Sequence, residues 1–270
     1  MLTATSSILR SLWRNRRLWW QFTKRQVELR HKGSHLGLFW SILSPLLMLG
    51  LYVMVFGFIF KGRFQGASQE TRLEYALTIF LGLAILHCAS EILASAPLVI
   101  LSNPNFVKKV VFPLEILPAA NLGAATVHFG ITLALVFIGL IGAGIHLSAQ
   151  VLWLPVILAP FLVIGLGFSL GISALGVFWR DLAQITQFFI LVLMFASAVF
   201  YPVTQVQGFA WTVLKFNPLL HVVEEARGAV LWGRAPNLRH VGYLYAVGGS
   251  SIILGSFIFQ RLRSSFADVL

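Results

Sequence analysis

Six long apolar runs divide this chain, and they constrain its fold more than any other feature of the sequence. A bilayer core about 30 Å thick is crossed by a helix of roughly 20 apolar residues. With soft edges, the runs cover residues 36–60, 75–100, 115–145, 152–178, 184–202 and 241–260. Backbone polar groups must find partners inside lipid, so such runs form helices. The sequence therefore predicts an all-α polytopic membrane protein with six transmembrane helices.

The composition narrows the classes of partner. Only 11% of the residues are charged and 58% are hydrophobic, whereas soluble domains carry about 25% charged residues. A net charge of +11 would suggest nucleic acid in a soluble protein, but basic residues in a membrane protein chiefly set orientation. Cys88 is the single cysteine, which excludes a disulfide framework and a thiol metal site. We expect membrane lipids as partners, no nucleic acid, and no metal or cofactor on this chain.

Lysine and arginine residues are unevenly divided between the two sides of the predicted bundle. With six spans, thirteen of the 20 fall on the side that carries both termini, and seven fall on the other. Cytoplasmic loops carry an excess of basic residues, so both termini are predicted to be cytoplasmic.

A dense basic and aromatic segment at residues 11–33 precedes the first run. It is too charged to span a membrane. On a helical wheel Leu18, Phe22 and Leu29 share one stripe, which gives an imperfect amphipathic helix. A membrane-surface anchor and a docking site for a partner both fit these features, and the residues alone do not choose between them.

The second run contains two ionisable residues, His87 and Glu91, four positions apart on one helical face. A carboxylate at membrane depth is costly unless it pairs or meets water. Three interpretations are open: a polar lining for a hydrophilic substrate path, a His–Glu pair that holds helices together, and a proton or ion relay.

Two connecting segments have more structure than simple loops. In residues 101–118, Asn103-Pro104 marks a turn and a helix start, and an amphipathic helix is expected to follow. Residues 203–238 are too apolar for a loop and predict two short helices on the outer side, the second opened by Asn217-Pro218. Such a pair is expected to dip into the membrane without crossing it, as a gate or as a surface cap.

Several chemical motifs are missing from the sequence. It contains no GxxxxGK[ST] phosphate loop, HExxH or GxSxG, so we expect no enzyme activity on this chain. Energy for transport would come from another chain or from an ion gradient. The glycine-rich stretches 139–144 and 165–171 lack a βαβ context and favour close helix packing.

Four segments together resemble one family: ELRHKGSHLGLFWSILSPLLMLGLYVMVFGFIF, NPNFVKKVVFPLEILP, VFWRDLAQ and FNPLLHVVEEARGAVL. The chain resembles the membrane subunit of type-2 ABC exporters of cell-surface polysaccharide, the branch that serves O-antigen, capsule and wall teichoic acid. The resemblance implies a homodimer with two separate ATP-binding subunits, which would hold ATP and Mg. It also implies a cytoplasmic interface segment at 1–35, a six-span domain at 36–270, a coupling helix at 103–111 and outer gate helices at 203–232.

Three sets of functional residues are expected, the coupling and gate sets from this resemblance and the path set from the residue types themselves. ATPase coupling is expected at Asn103, Pro104, Phe106, Val107, Lys108, Lys109, Arg25 and Arg30. The translocation path is expected to include Trp40, Tyr52, His87, Glu91, Phe200 and Tyr201. The outer gate is expected at Asn217, Pro218, His221, Glu224 and Arg227.

The expected function is ATP-driven export of a lipid-linked polysaccharide, an O-antigen or capsular polymer, across the bacterial inner membrane. Sugars present C–H faces that stack on aromatic rings, so aromatic residues are expected to line the path. Two alternatives remain: an ABC permease for a small hydrophobic drug, and an ion-coupled secondary transporter that uses His87 and Glu91.

Overall fold

A computed structural model describes residues 1–30, 37–60, 64, 71–108 and 112–270, and all the regular structure in these ranges is helical. The α-helices are α1 (Leu2–Arg14), α2 (Arg16–Arg30), α3 (Trp40–Tyr52), α4 (Arg72–Ser95), α5 (Pro104–Lys108), α6 (Ile116–Gly142), α7 (Leu154–Phe178), α8 (Leu182–Ala196), α9 (Gly208–Leu214), α10 (Pro218–Val230), α11 (Leu238–Arg263) and α12 (Phe266–Val269). A π-helix, Val53–Phe60, continues α3, and 3-10 turns cover Gly37–Phe39, Ala96–Leu98, Ala149–Trp153 and Val203–Gln205.

Four helical segments in the described ranges are long and apolar enough to cross a membrane, by length and composition. They are Arg72–Leu98, Ile116–Gly142, Ala149–Phe178 and Leu238–Arg263. The first and fifth predicted spans correspond to shorter apolar helices, Trp40–Phe56 and Leu182–Ala196. At 1.5 Å per residue the latter is about 22 Å long, less than a bilayer core. The all-helical class is confirmed, whereas the count of six spans stays a prediction.

Glycines bring α7 and α11 into close contact. A Cβ on Gly255 would overlap the carbonyl oxygen of Gly167, and one on Gly167 would overlap the backbone of Ser251. Small residues allow helices to approach until their backbones touch, which is a common source of association in lipid. The packing role predicted for the glycines at 165–171 therefore fits the position of Gly167.

Helix α4 is the most buried of the four long segments and contacts α3, α6, α7, α8 and α10. It begins with a capping box, in which the Glu74 amide donates to the Thr71 hydroxyl and the Thr71 amide donates to the Glu74 carboxylate. These bonds satisfy amides that a helix start leaves without intrahelical partners. The capping box fixes where the central helix begins.

The bundle has two distinct ends. The basic end gathers α1, α2, α5 and α12, and Arg263 at the end of α11 pairs there with the buried Glu115 at 3.2 Å. At the opposite end, which we call the cap end, α10 packs against the start of α4 and the end of α8, and α9 precedes it in the chain. The predicted coupling segment and the predicted gate segment therefore lie at opposite ends.

Helix α2 lies along the first turns of α6. The indole Nε1 of Trp19 donates to the Ala119 carbonyl at 2.9 Å. A Cβ on Gly123 would lie 2.6 Å from the Thr23 hydroxyl, so this glycine lets α2 approach α6. Two of the three predicted stripe residues, Leu18 and Phe22, pack against the core together with Trp19, whereas Leu29 is exposed. The sequence predicted one helix over the basic segment, whereas the structure has two helices that meet at Asn15.

Candidate functional site

A cavity of about 430 Å³ opens between α3, α4 and α6, and the end of α2 reaches into it. We call it the polar cavity. Its lining includes a guanidinium, a carboxylate, two imidazoles, several hydroxyls and three large aromatic side chains, from Arg30, Glu91, His87, His128, Ser41, Ser44, Ser90, Thr132, Tyr52, Trp40 and Phe80. Such a mixture of hydrogen-bonding groups and aromatic rings suits a hydrophilic molecule that also has apolar faces.

Four of the six residues predicted for the path line this cavity: Trp40, Tyr52, His87 and Glu91. On α4, His87 and Glu91 are one turn apart and therefore share a face. Phe200 lies beyond the cavity and stacks on Phe56 with ring centroids 5.8 Å apart. The ring of Phe56 in turn lies 6.0 Å from that of Tyr52. An aromatic series thus leads from the polar cavity toward the cap end.

Tyr201 is set apart from the cavity lining. Its hydroxyl donates to the carbonyl of Phe195 at 2.5 Å, near the end of α8. The structure therefore separates Tyr201 from the four cavity residues, and the transport roles of all six stay predictions.

The carboxylate of Glu91 has different partners from the one that the sequence spacing suggests. Its Oε1 lies 2.5 Å from Arg30 Nη1 and 2.9 Å from His128 Nδ1. His87 lines the cavity wall one turn away. His128 was not predicted as a site residue. As a histidine inside the apolar run 115–145, it is an ionisable residue at membrane depth, which is the same signal that pointed to Glu91.

Helix α5 is the described part of the predicted coupling helix, and it packs through aromatic rings. Phe106 lies 5.3 Å from the ring of Phe22 and 4.7 Å from that of Phe112. Asn103 precedes the helix and donates from Nδ2 to the Val99 carbonyl. Pro104 is the first helical residue, where a missing N–H costs nothing. The structure therefore connects this segment to α2.

The remaining coupling residues lie on α5, on α2 or outside the described ranges. Lys108 is exposed at the end of α5 and Val107 is half-buried beside it. Arg25 is exposed on α2, its guanidinium carbon 5.9 Å from the Phe22 ring. Lys109 lies outside the described residues. Arg30 belongs to the polar cavity as well as to α2.

Arg227 is the most deeply buried charged residue of the cap end. It donates from Nε to the Thr78 carbonyl at 3.0 Å, from Nη1 to Ala198 at 2.7 Å and from Nη2 to Val199 at 2.6 Å. The guanidinium also lies 4.5 Å from the Phe64 ring. Burial lowers the pKa of Arg227 to about 10, which leaves it charged at neutral pH. The side chain thus fastens α10 to α4 and to the turn after α8.

The other predicted gate residues organise the start and the exposed face of α10. Asn217 caps the helix by accepting from the Leu219 amide, and its Nδ2 donates to the Ala196 carbonyl. Pro218 is the first residue of the helix. Glu224 pairs with Arg234 at 3.1 Å. The bonds of Asn217 hold the beginning of α10 against the end of α8.

His221 and a neighbouring pair form a second polar group at the cap end. His221 Nε2 lies 2.7 Å from the Lys215 carbonyl and therefore carries the proton. Burial lowers the pKa of His221, so its imidazole is neutral at pH 7. The buried Glu225, not predicted as a site residue, pairs with His240 at 2.6 Å and accepts from the Asn237 amide. Glu225 follows the predicted Glu224 directly, and nothing in the residue pattern distinguishes which of the two faces inward.

A second cavity, of about 390 Å³, is apolar. It lies between α4, α7 and α8 and below α9 and α10, and its lining includes Ile92, Phe161, Phe189, Val213 and Leu219. Helix α4 separates it from the polar cavity. These two cavities differ in kind: the first suits a polar molecule and the second suits an apolar group.

Comparison with known proteins agrees with this arrangement. The family model described as ABC-2 type transporter matches residues 17–231. The chain is 26% identical to an O-antigen export system permease protein RfbA of Klebsiella pneumoniae over 92% of this chain and 93% of the relative. It is 24% identical to the RfbA of Myxococcus xanthus over 97% and 98% of the two chains. It is 22% identical to the polysialic acid transport protein KpsM of Escherichia coli over 87% and 90%.

The matched region begins in α2 and ends just after α10, so it contains the polar cavity, α5 and the cap-end contacts of Arg227. The relatives extend the likeness over nearly the full length of both chains. On this basis the chain belongs to the ABC-2 type transporter family.

Proposed function

We propose that this chain is the permease subunit of an ATP-driven transporter that exports a lipid-linked polysaccharide, an O-antigen or capsular polymer, across the bacterial inner membrane. The observation that carries the proposal is the family match over residues 17–231, together with relatives named for O-antigen export and polysialic acid transport. The polar cavity supports it, because hydroxyls, imidazoles and aromatic rings suit a sugar chain.

The proposed architecture has six spans, formed by α3 with its π-helical continuation, α4, α6, α7, α8 and α11. Both termini lie in the cytoplasm, which is the location that the positive-inside rule gives to the basic end. Helices α1 and α2 form the interface segment, and α9 and α10 are re-entrant from the outer side. The short length of α8 suits a span that ends where this pair enters the membrane.

The proposed assembly contains two copies of this chain and two ATP-binding subunits, and ATP and Mg bind to those partners. The permease itself carries out no chemical step. ATP binding moves the partners against α5 and α2, and the spans respond as rigid bodies, because packed helices shift in discrete steps and deform little. The glycan passes along the surface that begins at Trp40 and Tyr52 of the polar cavity.

A pull-down of the tagged chain in mild detergent tests this proposal, with mass spectrometry of the captured proteins and lipids. We expect an equimolar ATPase with a phosphate-binding loop, and a lipid that carries a glycan. The variant Phe106→Asp tests the contact. It places a charge among the rings of Phe22 and Phe112 and should release the ATPase. Capture of the chain alone, with transport that follows a proton gradient, would contradict the proposal.

A second candidate is an ABC permease for a small hydrophobic compound, and the apolar cavity is the observation that favours it. Replacing Ile92 and Phe189, which line that cavity, by Ser would then abolish transport. Under the polysaccharide proposal the same double variant should keep glycan export within about tenfold of the wild type, because the altered side chains lie outside the polar cavity.

A further inference from the structure

Three charged or ionisable side chains from three separate elements meet at one edge of the polar cavity. Arg30 is the last residue of α2, Glu91 is in α4 and His128 is in α6. Arg30 Nη1 lies 2.5 Å from Glu91 Oε1 and 2.7 Å from His128 Nδ1. His128 Nδ1 in turn lies 2.9 Å from Glu91 Oε1. The site therefore connects a helix of the basic end to two spans.

The burial of these side chains shows which of them depends on the cluster. The Glu91 side chain is 20% exposed and that of His128 is 15% exposed, whereas the Arg30 side chain is 50% exposed. A carboxylate within an apolar helix needs a cation or donors nearby, and a half-exposed arginine can reach solvent without a partner. Glu91 therefore requires the contact more than Arg30 does, and α2 supplies the charge that α4 needs.

The opposite half of α2 contacts the coupling segment. Phe22 of α2 packs against Phe106 of α5 and against Phe112. Between Phe22 and Arg30, α2 is fixed to α6 through Thr23, which lies against Gly123. A continuous series of contacts thus runs from α5, through α2, to Glu91 in the wall of the polar cavity.

We propose that the Arg30–Glu91 ion pair, oriented by His128, is a coupling joint that transmits movement of α5 and α2 to the cavity wall on α4. This inference rests on the proposed function, since it assumes that an ATP-binding partner moves α5. Arg30 and Glu91 act as positioning residues here. While the pair is intact, a displacement of α2 carries α4 with it, and the cavity changes shape. Without the pair, α2 moves and α4 does not follow.

The test uses the complex of the full chain with its ATP-binding partner in proteoliposomes, and measures glycan exported per ATP hydrolysed. We expect Arg30→Gln and Glu91→Gln each to lower this ratio about tenfold, within the usual range of coupling between two sites. ATP hydrolysis itself should change by less than about twofold. The exchange of charges, Arg30→Glu with Glu91→Arg, should restore most of the ratio, and Arg30→Lys should retain it.

Lys24 and Glu28 provide the matched control, because they form an exposed pair 3.9 Å apart on the same helix. Lys24→Gln should leave the ratio unchanged, as expected for an exposed pair of small energetic weight. An unchanged ratio in the Arg30 and Glu91 variants would overturn the coupling joint, and if hydrolysis and export had both fallen equally, it would show a structural role. If the charge-exchange variant fails to fold, Arg30→Lys takes its place: a fall in the glycan exported per ATP in that variant would also overturn the coupling joint.

A second readout does not depend on the glycan and separates the two proposals. His87→Cys in a Cys88→Ala background places one thiol in the cavity wall, one turn from Glu91. We expect labelling by a water-soluble maleimide to differ between the ATP-free complex and the complex trapped with ATP, and Arg30→Gln to remove the difference. If the wild type exports no glycan but shows this difference, the proposed function fails and the joint stands. A difference that persists in Arg30→Gln refutes the joint.

Discussion

Replacing Arg227 by Met should destabilise the cap end by an amount that the structure allows to be worked out. The substitution keeps a long side chain and removes three hydrogen bonds to carbonyl oxygens. Thr78 lies inside α4, where a carbonyl also accepts from the amide four residues on. Ala198 and Val199 lie in the turn after α8, and each would be left as a buried acceptor at a cost of about 1–3 kcal/mol.

The net cost is smaller than the sum of the lost bonds because Met needs no desolvation of a charge. Replacing a buried charge by an apolar group avoids that desolvation cost and so recovers part of the free energy lost with the hydrogen bonds. We therefore expect Arg227→Met to lower the free energy of unfolding by about 3 kcal/mol. Ala198 also has a φ of 51°, which is unfavourable for a residue with a Cβ, and the bond from Arg227 helps to hold it there.

Chemical denaturation in detergent micelles, followed by tryptophan fluorescence, measures this effect. Arg234→Met is the matched control, because Arg234 lies just after α10 and makes a half-exposed pair with Glu224. Its loss should cost less than about 1 kcal/mol. The role assigned to Arg227 is wrong if the free energy of unfolding of Arg227→Met lies within about 1 kcal/mol of the wild-type value. It is also wrong if Arg227→Met and Arg234→Met lower that free energy equally.

Three further predictions concern helix contacts. Gly255→Ala should lower the free energy of unfolding by about 1–3 kcal/mol, because its Cβ meets the backbone of α7. The control Gly249→Ala has nothing within 4 Å of its Cβ and should leave that free energy unchanged. Equal denaturation midpoints for the two variants would refute this contact. Gly123→Val should displace α2 and speed tryptic cleavage at its arginines, whereas Gly130→Val on the same helix, also without a neighbour within 4 Å, should leave the cleavage rate unchanged. Phe106→Ala removes half-buried ring contacts and should weaken capture of the ATPase about tenfold in a pull-down; undiminished capture would argue against a coupling role for α5.

The apolar pattern predicted the long spans well because hydropathy and length decide them directly. The runs 115–145 and 152–178 correspond to Ile116–Gly142 and Leu154–Phe178. In each case burial in lipid requires a continuous helix, and a loop must follow when the apolar run stops. Single-residue edges differ because caps and short 3-10 turns adjust the ends.

The N-terminal segment was less predictable, because local polar chemistry interrupts it. The Asn15 side chain donates from Nδ2 to the Ser11 carbonyl at 2.9 Å. Such bonds compete with the helical backbone, and Asn is a weak helix former. The result is a break between α1 and α2, whereas the expected helix ran without interruption through residues 11–33.

The partners of Glu91 could not be read from spacing. A four-residue interval with His87 identifies residues on the same face of one helix, but the pairing in the structure comes from α2 and α6. Such contacts depend on how the elements pack. The need for a partner was predictable from the cost of a carboxylate in lipid, and the identity of that partner was not.

Transport by the purified complex tests the central claim most directly. The chain and its ATP-binding partner are reconstituted in proteoliposomes with a lipid-linked O-antigen on the side of the ATP-binding subunits, and movement of the glycan across the bilayer is followed over time. The account predicts transport that requires ATP and Mg and is unaffected by collapse of a proton gradient. Glycan that stays in place with ATP present, or that moves only with a proton gradient, would contradict it.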